Sequence, residues 1–326
     1  MQRRLLAAIM LAVLATAQAG CAATSEPANS SVEEGRAPFL ALSITRQPAA
    51  DFSSSPAPAS VSAKETQVFA GFHRFEAGDG TLDVGLDYQY TRYVYDGIDG
   101  RNRDLHRFQF PLRYQGRLSG WKIDGNIAPG ISTSSNVLKE FFDEVSGDDL
   151  FATARLEGRR ESGSHNWVAG LAYDRTFGRP LVYPIAGIEL SPTDELDIRL
   201  AFPDPGFRYR WSDRQSLSGR LFPAGHQWHV MTDDFAAEFD YRVEGFRAQL
   251  GWSIRLWKAI TLDISGGYEF GRRHYLTDDF GVRIESPWMT SGCSCSACVP
   301  DRRRFRTRMA ASCDTGAIRL QSLRLF

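Results

Sequence analysis

Leu82, Val84, Leu86, Tyr88 and Tyr90 alternate with Asp83, Gly85, Asp87, Gln89 and Thr91. A period of two sends the first set to one face of a β-strand and the second set to the other. The pattern returns along most of the chain. Phe108, Phe110, Leu112 and Tyr114 face Arg107, Gln109, Arg113 and Gln115; Trp121 and Ile123 face Lys122 and Asp124. Phe246, Ala248, Leu250, Trp252, Ile254 and Leu256 face Arg247, Gln249, Ser253 and Arg255, and Ile264, Tyr268 and Phe270 face Asp263 and Glu269. A soluble sandwich or a lipocalin-like barrel uses the same local grammar. Two features point instead to a barrel with lipid outside and water inside: nearly every strand carries the apolar row, and the opposing row is charged. The fold expected is all-β, an antiparallel up-and-down transmembrane β-barrel of about twelve strands, with ten to fourteen allowed.

The start of the chain supports export. Arg3 and Arg4 precede an apolar run from Leu5 to Leu14, and Ala17-Gln18-Ala19 is a cleavage site that starts the mature chain at Gly20. A lipoprotein signal with Cys21 as the lipidated residue is the alternative, although Gln18 stands where such signals usually carry Leu. No later run is long and apolar enough for a transmembrane helix. The 43% hydrophobic content looks soluble in bulk, but polar lumen and loops dilute the average of a membrane barrel. A net charge of −1 gives no argument for a nucleic-acid partner.

Four segments follow: a signal peptide at 1–19, a Ser/Pro/Ala-rich disordered linker at 20–63, a barrel at 64–286 and an irregular tail at 287–326. Within the linker only Leu40-Ala41-Leu42-Ser43-Ile44 suggests a strand. Within the barrel, Val137, Leu138, Phe141, Phe142 and Val145 have helical spacing behind Ser135, a candidate N-cap, so a short helix is expected in a longer loop. The tail departs abruptly in composition, as after a reading-frame error, with Cys293, Cys295, Cys298 and Cys313 and a run of Arg between 302 and 308.

Pro180 to Pro192 runs into Leu196-Asp197-Ile198-Arg199-Leu200-Ala201-Phe202-Pro203 and then Tyr209-Arg210-Trp211-Ser212, and Tyr268-Glu269-Phe270-Gly271-Arg272-Arg273 comes later. Over roughly 66–286 this resembles a family of bacterial outer-membrane β-barrels with no assigned function. The resemblance implies an outer-membrane barrel and brings no catalytic or binding residues with it.

Candidate lumen-facing residues are Asp83, Asp87, Arg113, Asp124, Arg247, Arg255 and Glu269, whose bland role is cross-strand charge pairing. The four tail cysteines are weak zinc candidates, because an exported chain more readily forms disulfides. No cofactor is expected. Ser162, Ser164 and His165 lie close in sequence but in turn material, and no nucleophile motif accompanies them, so an enzyme is not the first expectation. The chain is read as an outer-membrane barrel acting as a narrow channel, a small-solute transporter or a structural barrel. Its expected partners are outer-membrane lipid, the barrel-assembly machinery and a small solute. The alternatives are a lipid-modifying outer-membrane enzyme, such as an acyl hydrolase, and a periplasmic or surface ligand-binding β-domain.

Overall fold

A computed structural model describes residues 40–51, 59–97, 102–139, 146–231, 238–257, 260–278, 283–297 and 323–325. The expected cleavage site, Cys21, Cys298, Cys313 and the Arg run lie outside these residues. The strands in order are β1 (Leu40–Asp51), β2 (Ser60–Ala77), β3 (Gly80–Asp96), β4 (Arg103–Gln109), β5 (Leu112–Leu118) and β6 (Trp121–Ser134). Helix α1 (Ser135–Lys139) follows, then β7 (Leu150–Ser162), β8 (His165–Asp174), β9 (Leu181–Thr193), β10 (Leu196–Phe202) and β11 (Gly206–Ser212). The remainder are β12 (Gln215–Pro223), β13 (His226–Met231), β14 (Glu238–Trp257), β15 (Ile260–Asp278), β16 (Arg283–Ala297) and β17 (Leu323–Leu325).

The seventeen strands among the described residues belong to one sheet. β4 and β5 are halves of a single stave, since both pair with β3 on one side and β6 on the other. Phe110 and Pro111 part them, and proline cannot donate to a ladder. β12 and β13 likewise lie end to end along β14. β17 bridges the starts of β1 and β15. Among the described residues fourteen antiparallel staves therefore form the wall, the upper limit of the expected range, and β1 pairs with β16 to close it.

The two ends of the barrel differ. At one end, the base, staves are joined by two residues, as at 78–79, 119–120, 163–164, 194–195 and 213–214. Ser119 and Gly120 both hold positive φ, 50° and 80°, the handedness that lets a two-residue turn match the twist of its strands. At the other end, the rim, connections lengthen, and 135–149 is the longest. The expected helix appears there as the five residues of α1; 140–145 lie outside the described residues.

The wall also forks. Above the short hairpins of β7–β12, the free edge of β13 meets the upper end of β6 in parallel, at His229 and Thr133. The rim is thus a smaller ring of β1, β2, β3, β4, β6, β13, β14, β15 and β16, while the base ring includes β7–β12 as well. Outside, Leu118, Ile127, Leu156, Leu171, Val182 and Leu250 are all more than half exposed, and they form one apolar belt around the base ring. Trp121, Trp167, Trp211 and Trp257 mark its lower edge beside the short turns, where amphipathic rings suit a membrane interface. The outward face of the rim ring carries ion pairs: Arg92 pairs with Asp104, and Arg242 with Glu244.

Two expected boundaries are corrected. Residues 40–51 and 60–63, assigned to a disordered linker, are strand. The outward Leu40, Leu42 and Ile44 were visible, but Pro48 and the Ser/Pro run behind them masked a stave whose inward row is Ala41, Ser43, Thr45 and Gln47. Residues 287–297, expected to be irregular, belong to β16, which pairs along β15 and then β1. Pairing is a property of the backbone: two strand edges require a partner between them whatever side chains it carries.

Candidate functional site

The lumen carries the charged rows, and its character changes from rim to base. In the rim half, Trp228, Tyr241, Tyr93, Leu105, Val230 and Val243 point inward from β13, β14, β3 and β4 and pack into one cluster with Val61 and Ala63. Leu105 is 0% exposed, Trp228 1% and Tyr241 2%. The Tyr93 ring stands edge-on to Tyr241 at 5.5 Å, and Trp228 stacks on Tyr241 at 5.9 Å. Nine strands bring facing walls near enough for side chains to fill the space between them.

A polar layer seals this cluster from below. Arg272 Nη1 donates to Glu269 Oε2 at 2.5 Å, and Arg247 Nε donates to Glu269 Oε1 at 2.7 Å. Gln47 Nε2 also donates to Glu269 Oε1, at 3.0 Å, and Arg272 Nη2 donates to Tyr93 Oη at 3.1 Å. Arg272 Nε donates to His274 Nε2 at 3.1 Å. A guanidinium only donates, so His274 carries its proton on Nδ1 and gives it to Tyr241 Oη at 2.5 Å. Tyr241 then donates to Tyr95 Oη at 2.6 Å. The layer ties β1, β3, β14 and β15 together, and each buried charge has an opposite partner.

The base half is wetter. Arg74 grips Asp83 through Nε and Nη2 at 2.6 and 2.7 Å. Gln67 Nε2 donates to both oxygens of Asp87 at 3.0 Å. Arg113 Nη2 meets Asp124 Oδ2 at 2.5 Å, and Gln115 donates to the same oxygen at 3.0 Å. These side chains keep partial contact with solvent: Arg113 is 33% exposed and Asp124 26%.

The densest ionic group sits on β7–β10. Glu157, 2% exposed, accepts from Arg155 at 2.7 Å, Arg159 at 3.0 Å and Arg199 at 3.1 and 2.9 Å. Arg199 continues to Glu189 at 2.5 Å and approaches Asp204 at 3.5 Å. Three guanidinium groups and three carboxylates balance in charge, which makes the group a brace for the widest part of the wall.

Of the seven lumen candidates, the structure pairs Arg113 with Asp124 and Arg247 with Glu269, and gives Asp83 and Asp87 to β2 partners. Arg255 lies on the same inward row of β14, opposite Thr261, and its backbone N–H donates to Arg214 O at 2.7 Å. Sequence reasoning missed Glu157, Arg155, Arg199 and Arg272, although all stand on charged rows; the missing signal was register, which decides which charges meet. Cys293 and Cys295 lie in β16, with Cα partners Arg46 and Ile44 in β1. Ser162 and His165 are register partners at a base turn, where the His165 ring meets Trp167 edge-on at 5.4 Å.

No protein-family model matches the chain, and no curated protein does. Among solved structures it is similar to an outer membrane channel from Pseudomonas putida F1, at 8% identity and a TM-score of 0.43, over 84% of this chain and 98% of that one. It is also similar to the outer membrane phospholipase dimer of Salmonella typhi with bound calcium, at 11% identity and a TM-score of 0.31, over 82% and 94%. The toluene transporter of Pseudomonas putida follows at 10% identity and a TM-score of 0.29, over 85% and 95%. At such scores these likenesses add nothing to what the closed sheet itself shows.

Proposed function

We propose that the chain is an outer-membrane β-barrel whose lumen is stoppered at the rim by its own side chains, a structural barrel closed to free diffusion. The observation that carries this reading is the rim cluster of Trp228, Tyr241, Tyr93 and Leu105, each at most 2% exposed, above the Glu269–Arg272–Arg247 layer. The apolar belt and its lower edge of Trp support the membrane location, and the export signal supports the outer membrane. The short turns then face the periplasm and the rim faces outward.

Planar-bilayer recording tests the reading. The folded wild-type protein passes no steady current, whereas Trp228→Ala combined with Tyr241→Ala opens a measurable conductance. A wild-type protein that conducts steadily like a diffusion porin would sink the stopper. A chain recovered wholly from the soluble periplasmic fraction would sink the membrane location.

A further inference from the structure

On the outer wall, where the apolar belt gives way to the polar rim, three side chains form a hydrogen-bonded line. Ser135 Oγ lies 2.8 Å from His106 Nε2, and His106 Nδ1 lies 2.9 Å from Tyr88 Oη. Register explains their meeting. Tyr90 and His106 are opposite each other on β3 and β4, so Tyr88 and His106 are diagonal neighbours on the outward face. On the other side, Leu105 pairs with Ser134, the last residue of β6, which sets Ser135, the first residue of α1, beside the same ring. The imidazole is held between Tyr90, tilted against it at 5.2 Å, and Tyr88, stacked at 6.0 Å. All three residues of the line are partly exposed. Among inward residues His274 and His226 are instead occupied by Arg272 and Arg107.

We infer that Ser135, His106 and Tyr88 form an outward-facing ester-hydrolysing site for an acyl lipid. A serine hydroxyl becomes a nucleophile when a neutral imidazole can take its proton, and the imidazole needs a partner on its other nitrogen to fix tautomer and orientation. In the tautomer with its proton on Nδ1, His106 donates to Tyr88 Oη, and its Nε2 lone pair, 2.8 Å from Ser135 Oγ, is nearer to the hydroxyl than Asp104 O, which accepts from it at 3.3 Å. Ser135 Oγ adds to the ester carbonyl carbon as its proton passes to Nε2. The carbon–oxygen bond to the alcohol breaks, and that alcohol leaves with the proton from Nε2. Water then gives a proton to Nε2 and its hydroxyl to the acyl carbon, and the fatty acid departs as Ser135 regains its proton. No co-reactant beyond water enters. The site's position selects the substrate. Leu86 precedes Tyr88 on the outward row of β3, on the belt side of the site, where acyl chains run. Arg92, 51% exposed and opposite Asp104, is the next outward pair toward the rim, where an anionic headgroup would lie.

The site can be tested on the full mature chain folded in detergent micelles, with heat-modifiable gel migration confirming that each variant is folded. A fluorophosphonate probe is expected to attach to Ser135, read by peptide mass. Ser135→Ala should abolish labelling, and His106→Ala should slow it by about a hundredfold or more. Tyr88 is a positioning residue: Tyr88→Phe keeps the ring and should lower kcat about tenfold with KM unchanged. Micellar phosphatidylethanolamine should release free fatty acid, with Arg92→Ala raising KM. A folded wild-type protein that neither takes the probe nor hydrolyses a soluble p-nitrophenyl ester overturns the site, as does a Ser135→Ala variant of full activity. Turnover of the soluble ester without fatty-acid release from phospholipid overturns the lipid assignment. None of these results depends on whether the lumen conducts.

Discussion

Leu156 and Glu157 are adjacent in the chain and opposite in surroundings. Leu156 is 58% exposed on the outer belt, while Glu157 is 2% exposed among three guanidinium groups. Leu156→Arg should therefore destabilise the barrel in bilayers by about 2–4 kcal/mol, the cost of a cation near the midplane. It should cost far less in a soluble protein, so urea unfolding in lipid vesicles checks the membrane reading at a single residue. Glu157→Ala strands Arg155, Arg159 and Arg199 without their common acceptor and should cost about 3–5 kcal/mol, read from the same unfolding curves. The alternation alone predicts the contrast between these two neighbours. Their partners are another matter: Arg199 is 42 residues from Glu157, and only the register of β7 to β10 through β8 and β9 brings them together.

At the scale of elements, the loop 175–180 locks the fork. Gly225 N donates to Thr176 O at 2.5 Å, where the β8–β9 connection lies against the break between β12 and β13. A Cβ on Gly225 would sit 2.3 Å from Gly178 N and 2.6 Å from Thr176 O, both backbone atoms that cannot swing aside. Gly225→Ala should therefore lift the loop, at about 1–3 kcal/mol, and limited proteolysis should cut within 175–180 where the wild type resists. Nothing in the sequence announces this contact, because it joins two irregular segments with no periodicity. The staves were far more legible: most of β3, β5, β8, β14 and β15 follows from a period of two. β1 and β16 were not, since their identity rests on which edges remain to be paired. The Ser135–His106–Tyr88 line was hidden as well, since its members lie on two strands and the first residue of α1 and only register brings them together.

At the scale of the whole molecule, closure depends on the least conspicuous strand. β1 joins β2 to β16, and without it the wall is an open sheet with two exposed edges. Deleting residues 40–51 should abolish heat-modifiable migration and leave aggregated chain, whereas deleting 22–38 should leave migration unchanged; gel shift after refolding distinguishes the two.

The parallel meeting of β6 and β13 has a consequence for how such a protein can vary. The rim ring is completed without β7–β11, so its diameter is set by one group of strands and that of the base by another. Adding or removing a hairpin in the side panel would widen or narrow the lower chamber two strands at a time while the upper ring keeps its size. Capacity below and closure above are thus separate dimensions of one continuous sheet, free to change at different rates in descendants of this chain.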